Sequence, residues 1–170
     1  MTTPTENRTL STLNNYFDDL SLGDRFRTRG RTLTEADITL FSGLSGDYHP
    51  LHTDEEFAQE GPFGGRIAQG CLTLSLATGL EFSLIGGDEE SHILAFYGMD
   101  RVRFVKPVFI GDTLHLEGEV TALDAKDETR GVVTMHHEVK NQNGDTVAVL
   151  DKRTLHTTRP TGERGNQNGA

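Results

Sequence analysis

The sequence predicts an α+β fold in which one long buried helix is wrapped by a curved antiparallel sheet. Three observations lead there. Arg66–Ile85 is the one long helical candidate, about 30 Å at 1.5 Å per residue, and it carries no charge between Arg66 and Glu81. Ile67, Ala68, Cys71, Leu72, Leu74, Leu76, Ala77, Leu80, Phe82, Leu84 and Ile85 cover most of its circumference, and a helix apolar nearly all round is expected to be buried nearly all round. Beyond Gly86-Gly87 the pattern changes to period two, and no helical stretch separates the later strands, which argues against a parallel βαβ sheet.

Taken in order, residues 1–12 and 159–170 are polar, rich in Thr, Asn, Gly and Arg. A single domain is expected over 16–158, with disordered tails over 1–15 and 159–170. Asp24–Leu33 reads as a first strand with partial alternation. Thr34-Glu-Ala-Asp37 resembles a capping box that opens a helix, with Ile38, Phe41 and Leu44 as its apolar stripe and Gly46 as its end. A bend follows, then a short acidic helix over Asp54–Glu60. Gly61-Pro-Phe-Gly-Gly65 breaks the chain before the long helix. His92–Val108, Thr113–Leu123, Gly131–Val139 and Thr146–Leu155 are the late strands. Gly98 marks a bend in the first of them. Asp124–Glu128 and Lys140–Asp145 are turns, the second with Asn143-Gly144 at its tip.

Composition narrows the functional classes. The 170 residues carry a formal charge of −10, which disfavours nucleic acid or anionic lipid as a main partner. Arg101, Arg103 and Lys106 form a local basic cluster, either a solvated strand face or contacts for a phosphorylated ligand. The single cysteine, Cys71, allows no internal disulfide and no thiolate-built metal site, and it reads as a small buried hydrophobe. The opening residues lack the apolar core of a signal peptide. Ile67–Ile85, the most apolar stretch, carries Gln69, Thr73, Ser75, Thr78, Glu81 and Ser83 and is a poor membrane span. The expectation is a cytoplasmic protein without membrane or nucleic-acid partners.

The bend Ser42-Gly-Leu-Ser-Gly-Asp-Tyr-His-Pro-Leu-His-Thr-Asp54 is the most informative stretch. It places Asp47 and His52 five residues apart, with Gly46 permitting a tight backbone and Pro50 fixing φ between them. An imidazole beside a carboxylate can take a proton from water near neutral pH, while the carboxylate orients that water or carries a second proton. From the pair alone, a turn closed by Asp47 with His52 packed beneath it is the simpler account. Metal ligation by Asp47, His49, His52 and Asp54 is disfavoured, because Pro50 interrupts any regular presentation and no downstream group closes the set. The start of the long helix, Arg66-Ile-Ala-Gln-Gly70, adds free N–H groups able to stabilise a developing oxyanion. Gly70 permits either the close approach of a carbonyl or tight helix packing.

Together these residues resemble the MaoC-like dehydratase family, which includes the R-specific enoyl-CoA hydratases. Its signature runs Gly/Glu-Asp-x-Asn-Pro-Leu-His-x-Asp/Glu, followed about fifteen residues later by His-Gly at a helix start. This chain has Gly46-Asp-Tyr-His-Pro-Leu-His-Thr-Asp54, then Gln69-Gly-Cys-Leu72. Arg103-Phe-Val-Lys-Pro-Val-Phe-Ile-Gly-Asp112 resembles the family's Phe-x-x-Pro-Val-x-x-Gly-Asp strand and turn. The resemblance spans roughly Tyr16–Thr158. His49 stands where the family has Asn, and Gln69 where it has His.

The resemblance implies a hot-dog fold, a homodimer or higher homo-oligomer, and no cofactor other than coenzyme A as part of the substrate. It implies reversible hydration of a trans-2-enoyl thioester, carried on coenzyme A or an acyl carrier, to the R-3-hydroxyacyl thioester. Asp47 and His52 are then the catalytic pair, and Gly70 the oxyanion donor. Thr78 falls where family members often have a site-ordering Ser, and Gln69 retains hydrogen bonding without titration. Arg101, Arg103 and Lys106 are candidate coenzyme A phosphate contacts, and no metal is expected. Two alternatives stay open: a hot-dog acyl-CoA thioesterase, for which Glu81 is the one acid on the long helix, and a non-catalytic subunit that binds acyl thioesters.

Overall fold

The computed structural model describes residues 8–86 and 90–160. Two short strands, β1 (Arg25–Arg27) and β2 (Arg31–Thr32), precede helix α1 (Glu35–Ser45). The short helices α2 (Pro50–Thr53) and α3 (Glu55–Gln59) lead to the long helix α4 (Gly70–Ile85). Four long strands complete the chain: β3 (Ile93–Phe104), β4 (Thr113–Asp127), β5 (Arg130–Lys140) and β6 (Thr146–Thr157). They form a six-stranded sheet in the order β1-β4-β5-β6-β3, with β2 also pairing β4. Among the described residues, the pairings between these strands are all antiparallel.

The core lies between α4 and one face of the sheet. Leu72, Ala77 and Leu80 of α4 pack with Leu114, Leu116 and Val120 of β4, Val133, Met135 and Val139 of β5, and Val147 and Leu150 of β6. Alternation along β5 puts Val133, Met135 and Val139 on one face, and Val147 lies beside the register shift between Val139 and Lys140. Register shifts interrupt β3 at Ile93/Ala95, at Phe96/Gly98 and at Asp100/Arg103. Such irregularities bend a strand and sharpen its twist, and the second falls at the glycine expected to bend it. Arg101, at the third, is the one described non-glycine residue with positive φ, 51°.

The structure departs from the sequence expectations in several places. The first strand is two short pieces, and its start is tied to an N-terminal segment already in the fold. Leu10 N–H donates to the Arg25 carbonyl at 2.6 Å and Leu13 N–H to the Leu84 carbonyl at 2.9 Å, with both leucines buried. Residues 8–15 are therefore part of the domain, because the two leucines close one end of the core. At the other end, Arg159 forms a bidentate pair with Asp19, at 2.9 and 2.8 Å, and its guanidinium lies over the Tyr16 ring. The remainder of the expected tails, 1–7 and 161–170, lies outside the described residues.

The long helix starts at Gly70, not Arg66. Ile67 instead bridges Phe109 in strand fashion, and Ala68 N–H donates to the Val108 carbonyl at 2.8 Å. One flank of α4 is uncovered within this chain: Cys71 is exposed rather than buried, and Phe82 is 71 % exposed. The sheet reaches around only one side of the helix. On α1, Ile38 is buried as expected, whereas Leu44 is 84 % exposed. β4 runs through the expected turn at Asp124–Glu128 as far as Asp127.

Candidate active site

Helix α1 begins as its sequence indicates, with the Asp37 carboxylate accepting the Thr34 N–H at 2.8 Å and the Thr34 hydroxyl at 2.7 Å. It ends at Gly46, whose φ of 77° is the left-handed conformation that favours glycine at a helix C-terminus. That reversal projects Asp47. The His49 N–H donates to Asp47 Oδ1 at 3.3 Å, which fixes the carboxylate and leaves Oδ2 for other work.

His49 caps α2. Its Nδ1 accepts the Leu51 N–H at 3.1 Å, and Pro50 occupies the first helical position, where a missing N–H costs nothing. A cap needs a side-chain acceptor at short reach, and the imidazole supplies it in place of an amide oxygen. α2 thereby presents His52 in its last turn. The His52 Nδ1 lies 2.7 Å from the Ile67 carbonyl. A carbonyl only accepts, so Nδ1 carries the proton and Nε2 of the neutral ring keeps its lone pair. That nitrogen faces Asp47 Oδ2 at 3.8 Å, too far for a direct hydrogen bond and close enough for both to hold one water. The His52 side chain is 12 % exposed and that of Asp47 45 %.

The segment carrying Ile67 is anchored on both sides. Arg66 forms a bidentate pair with Glu35 of α1 at 2.8 and 2.7 Å and donates to Glu55 of α3 at 2.8 Å. These contacts hold the Arg66 guanidinium firmly charged and the Glu35 and Glu55 carboxyls below their ordinary range. Gln69 is buried at the cap of α4, and its Nε2 donates to Ser42 Oγ of α1 at 2.9 Å. The partner side chains of α1, α3 and α4 are thus linked around His52.

Gly70 is the first residue of α4, where N–H groups have no acceptor within the helix. A Cβ there would lie 2.8 Å from Cε2 of Phe104. Gly70, His52, Thr73, Phe104, Lys106 and Val108 line one cavity of about 280 Å³. An imidazole base, a helix-start N–H and largely apolar walls around one space are suited to polarising a carbonyl and moving protons beside it.

Of the residues singled out in the sequence, Asp47, His52, Gly70 and Gln69 assemble here, with Lys106 on the cavity wall and paired to Asp145 at 2.7 Å. Thr78 does not join them: its hydroxyl donates to the Ser75 carbonyl at 2.8 Å and it lines a different cavity. Arg101 and Arg103 also stand apart, Arg101 paired with the buried Asp151 and Arg103 donating to the Val102 carbonyl. Glu81 lies in the core, paired with Lys152. Sequence reasoning missed Thr73 and the Ile67 carbonyl, and it placed Phe104 in a strand motif without tying it to the site. The contact of Phe104 with Gly70 is made only on folding, and a backbone carbonyl leaves no residue-type signal.

The architecture and this site define the class first: a hot-dog domain with a carboxylate–imidazole pair beside the N-terminus of its central helix. Residues 19–142 match the model of the MaoC-like domain family, and the chain belongs to that family. It is 35% identical over 108 residues to an (R)-specific enoyl-CoA hydratase of Rhodospirillum rubrum, covering 64% of this chain and 71% of the relative. It is 43% identical over 101 residues to Protein MaoC of Klebsiella aerogenes, covering 59% of this chain but 29% of that longer protein. Among solved structures, a monoamine oxidase regulatory protein from Archaeoglobus fulgidus superposes with a TM-score of 0.78 at 40% identity, covering 91% of this chain and 99% of that one. A Mycobacterium tuberculosis protein described as a double hotdog fold, 21% identical, aligns with a TM-score of 0.73 over 87% of this chain and 46% of its own. That last likeness shows the fold alone.

Proposed function

We propose that this protein adds water reversibly to a trans-2-enoyl thioester, yielding the R-3-hydroxyacyl thioester. The observation that carries the reading is the His52 Nε2 lone pair facing Asp47 Oδ2 at 3.8 Å, with His52 and Gly70 on one cavity. The names of the R. rubrum hydratase and of a 3-hydroxybutyryl-CoA dehydratase from Methylorubrum extorquens, 32% identical over 108 residues, support it.

The Gly70 N–H donates to the thioester oxygen as negative charge grows on it, which makes C3 electrophilic. A water held between Asp47 and His52 gives its hydroxide to C3. The proton removed by the pair returns to C2 on the same face, so the pair ends as it began. Each positioned acid or base contributes about 10²–10⁴-fold and an oxyanion donor about 10²–10³-fold. Coenzyme A or an acyl carrier enters as part of the substrate, and no separate cofactor is used. Lys106 is the basic residue best placed to meet the carrier's phosphates.

A homodimer belongs to the same proposal. β3 is an edge strand, and Leu94, Phe96, Tyr97 and Phe104 on it are each at least half exposed, as is Phe82 on the open flank of α4. A second copy would bury this apolar face. The reading is tested by following loss of enoyl absorbance across a panel of enoyl-CoAs, with chiral analysis of the product. Absence of water addition to crotonyl-CoA and to longer, branched and dicarboxylic enoyl-CoAs alike would overturn it.

A further inference from the structure

A second, larger cavity of about 550 Å³ lies against α4 nearer its C-terminal end. Its walls include Phe82, Ile85, Ile93, Ala95 and Phe96, and Glu81 and Lys152 also line it; Phe82 and Phe96 belong to the face that a second copy would cover, so that copy would close the outer side of the cavity. The two cavities share no lining residue, and each lies in the seam between α4 and β3. Gly70 meets Phe104 at one end of β3, and Phe82 and Ile85 share a cavity with Ile93 and Phe96 at its other end. Thr78 lines the second cavity, and from Gly70 to Thr78 is eight residues of helix, about 12 Å. An extended acyl chain whose thioester sits at Gly70 can run along that seam.

What it meets is unusual for an acyl tail. Glu81 is 4 % exposed and Lys152 8 %, and the two form an ion pair, with Lys152 also over the Phe96 ring at 5.3 Å. An ammonium has three donors, and the pair with Glu81 accounts for one. Glu81 Oε1 has no hydrogen-bond partner among the described residues. It stands 3.4 Å from His137 Nδ1 without the alignment of a hydrogen bond. A charged pair buried against a cavity walled by Phe82, Ile85, Ile93 and Phe96, with the hydroxyl residues Thr78, Ser91 and Thr154 on its lining, is costly for an alkyl terminus to cover, because the spare donors would lose water and gain nothing.

Building on the enoyl thioester reading, we propose that Glu81 and Lys152 determine specificity, selecting acyl groups whose far end carries a neutral hydrogen-bonding oxygen such as a hydroxyl. The pair sums to zero charge, so a hydroxyl accepts from Lys152 without adding charge. A terminal carboxylate would bring an uncompensated third charge into the seam.

The test uses the full chain and trans-2-enoyl-CoAs of equal length, about ten carbons, ending in methyl, hydroxymethyl or carboxylate. Saturated acyl-CoAs with the same ends, which cannot be hydrated, are titrated calorimetrically alongside. The expected result is a preference of about tenfold for the hydroxyl terminus over methyl, in both kcat/KM and Kd, as one added hydrogen bond supplies. The preference should vanish or invert in Glu81→Leu/Lys152→Met, since exchanging a buried ion pair for apolar residues is often neutral to folding. Should that variant not fold, Ala95→Trp, at an exposed strand position lining the cavity, should abolish the preference in calorimetric binding of the saturated acyl-CoAs. Equal terminus preferences in wild type and variant, or tightest binding of the carboxylate, overturn the proposal. If no enoyl-CoA is hydrated but the saturated hydroxyl ligand still binds preferentially, the hydratase reading fails and the selectivity of the cavity stands.

Discussion

Replacing Gly70 by Ala separates catalysis from folding. The added Cβ would stand 2.8 Å from Cε2 and 2.9 Å from Cζ of Phe104, whereas non-bonded carbons rest at about 3.5–4.0 Å. The ring must recede by roughly 0.7 Å or more. It can do so cheaply, because Phe104 is 50 % exposed and turns on two side-chain bonds. Ala also favours the helix by up to about 1 kcal/mol over Gly. Net stability should therefore change by less than about 1 kcal/mol, a few degrees in melting temperature for a domain of this size. Catalysis is less tolerant. The methyl enters the cavity where the thioester carbonyl would meet the helix N–H, and Phe104, a wall of that cavity, moves with it. A misplacement near 1 Å at a reacting centre costs about 10²-fold. The assay is kcat and KM on crotonyl-CoA together with a thermal melt. A variant within twofold of wild type in kcat/KM would refute the assignment of Gly70. A variant that loses activity only because it has unfolded would instead show that the glycine serves packing.

Asp47→Asn and His52→Ala should each lower kcat by about 10²–10⁴-fold. Asp47→Asn should leave the melting temperature nearly unchanged, because Asp47 is half exposed, and a matching loss of fold by circular dichroism would contradict this. His49→Asn should preserve activity by keeping an acceptor for the Leu51 N–H, whereas His49→Ala should cost about 1 kcal/mol of stability and lower kcat by displacing His52; equal activity of the two variants would sink the capping role. Burial in the core pushes the His137 imidazole down to about 3. Its unfolded form protonates near 6.5, so its contribution is complete above about pH 6.5 and is lost as pH falls toward the folded value. Denaturant unfolding between pH 6.5 and 5 should show stability falling by up to about 1.4 kcal/mol per pH unit from this group. His137→Leu should remove that share of the slope, leaving the share from His156, which burial lowers in the same direction. An unchanged slope would count against His137 being neutral in the fold.

Local signals carried much of the answer in the sequence. Alternation located all four long strands to within a few residues, because a sheet with one face on a core must repeat every two residues. The Thr34–Asp37 cap, the Gly46 reversal and the Asn143-Gly144 turn were legible because each is set by neighbouring residues. The Asp47–His52 pair was legible for the same reason: a glycine, a proline and a five-residue spacing bring the two together on one short bend. Other features depended on distant segments. The helix start moved from Arg66 to Gly70 because Ile67 and Ala68 find strand partners at Phe109 and Val108, some forty residues away. That shift left Gly70 as the first helical N–H beside the cavity. Thr78 and His52 share a chain but not a cavity, and Glu81 and Lys152 meet across 71 positions. By itself the sequence determined the element types, the sheet-wrapped helix and the pairing of Asp47 with His52, whose causes lie within a few residues of each other. Only the tertiary structure decided the tautomer of His52, the wall that Phe104 sets against Gly70 and the buried charges at the far end of the seam, because each is made by groups that the chain brings together only on folding.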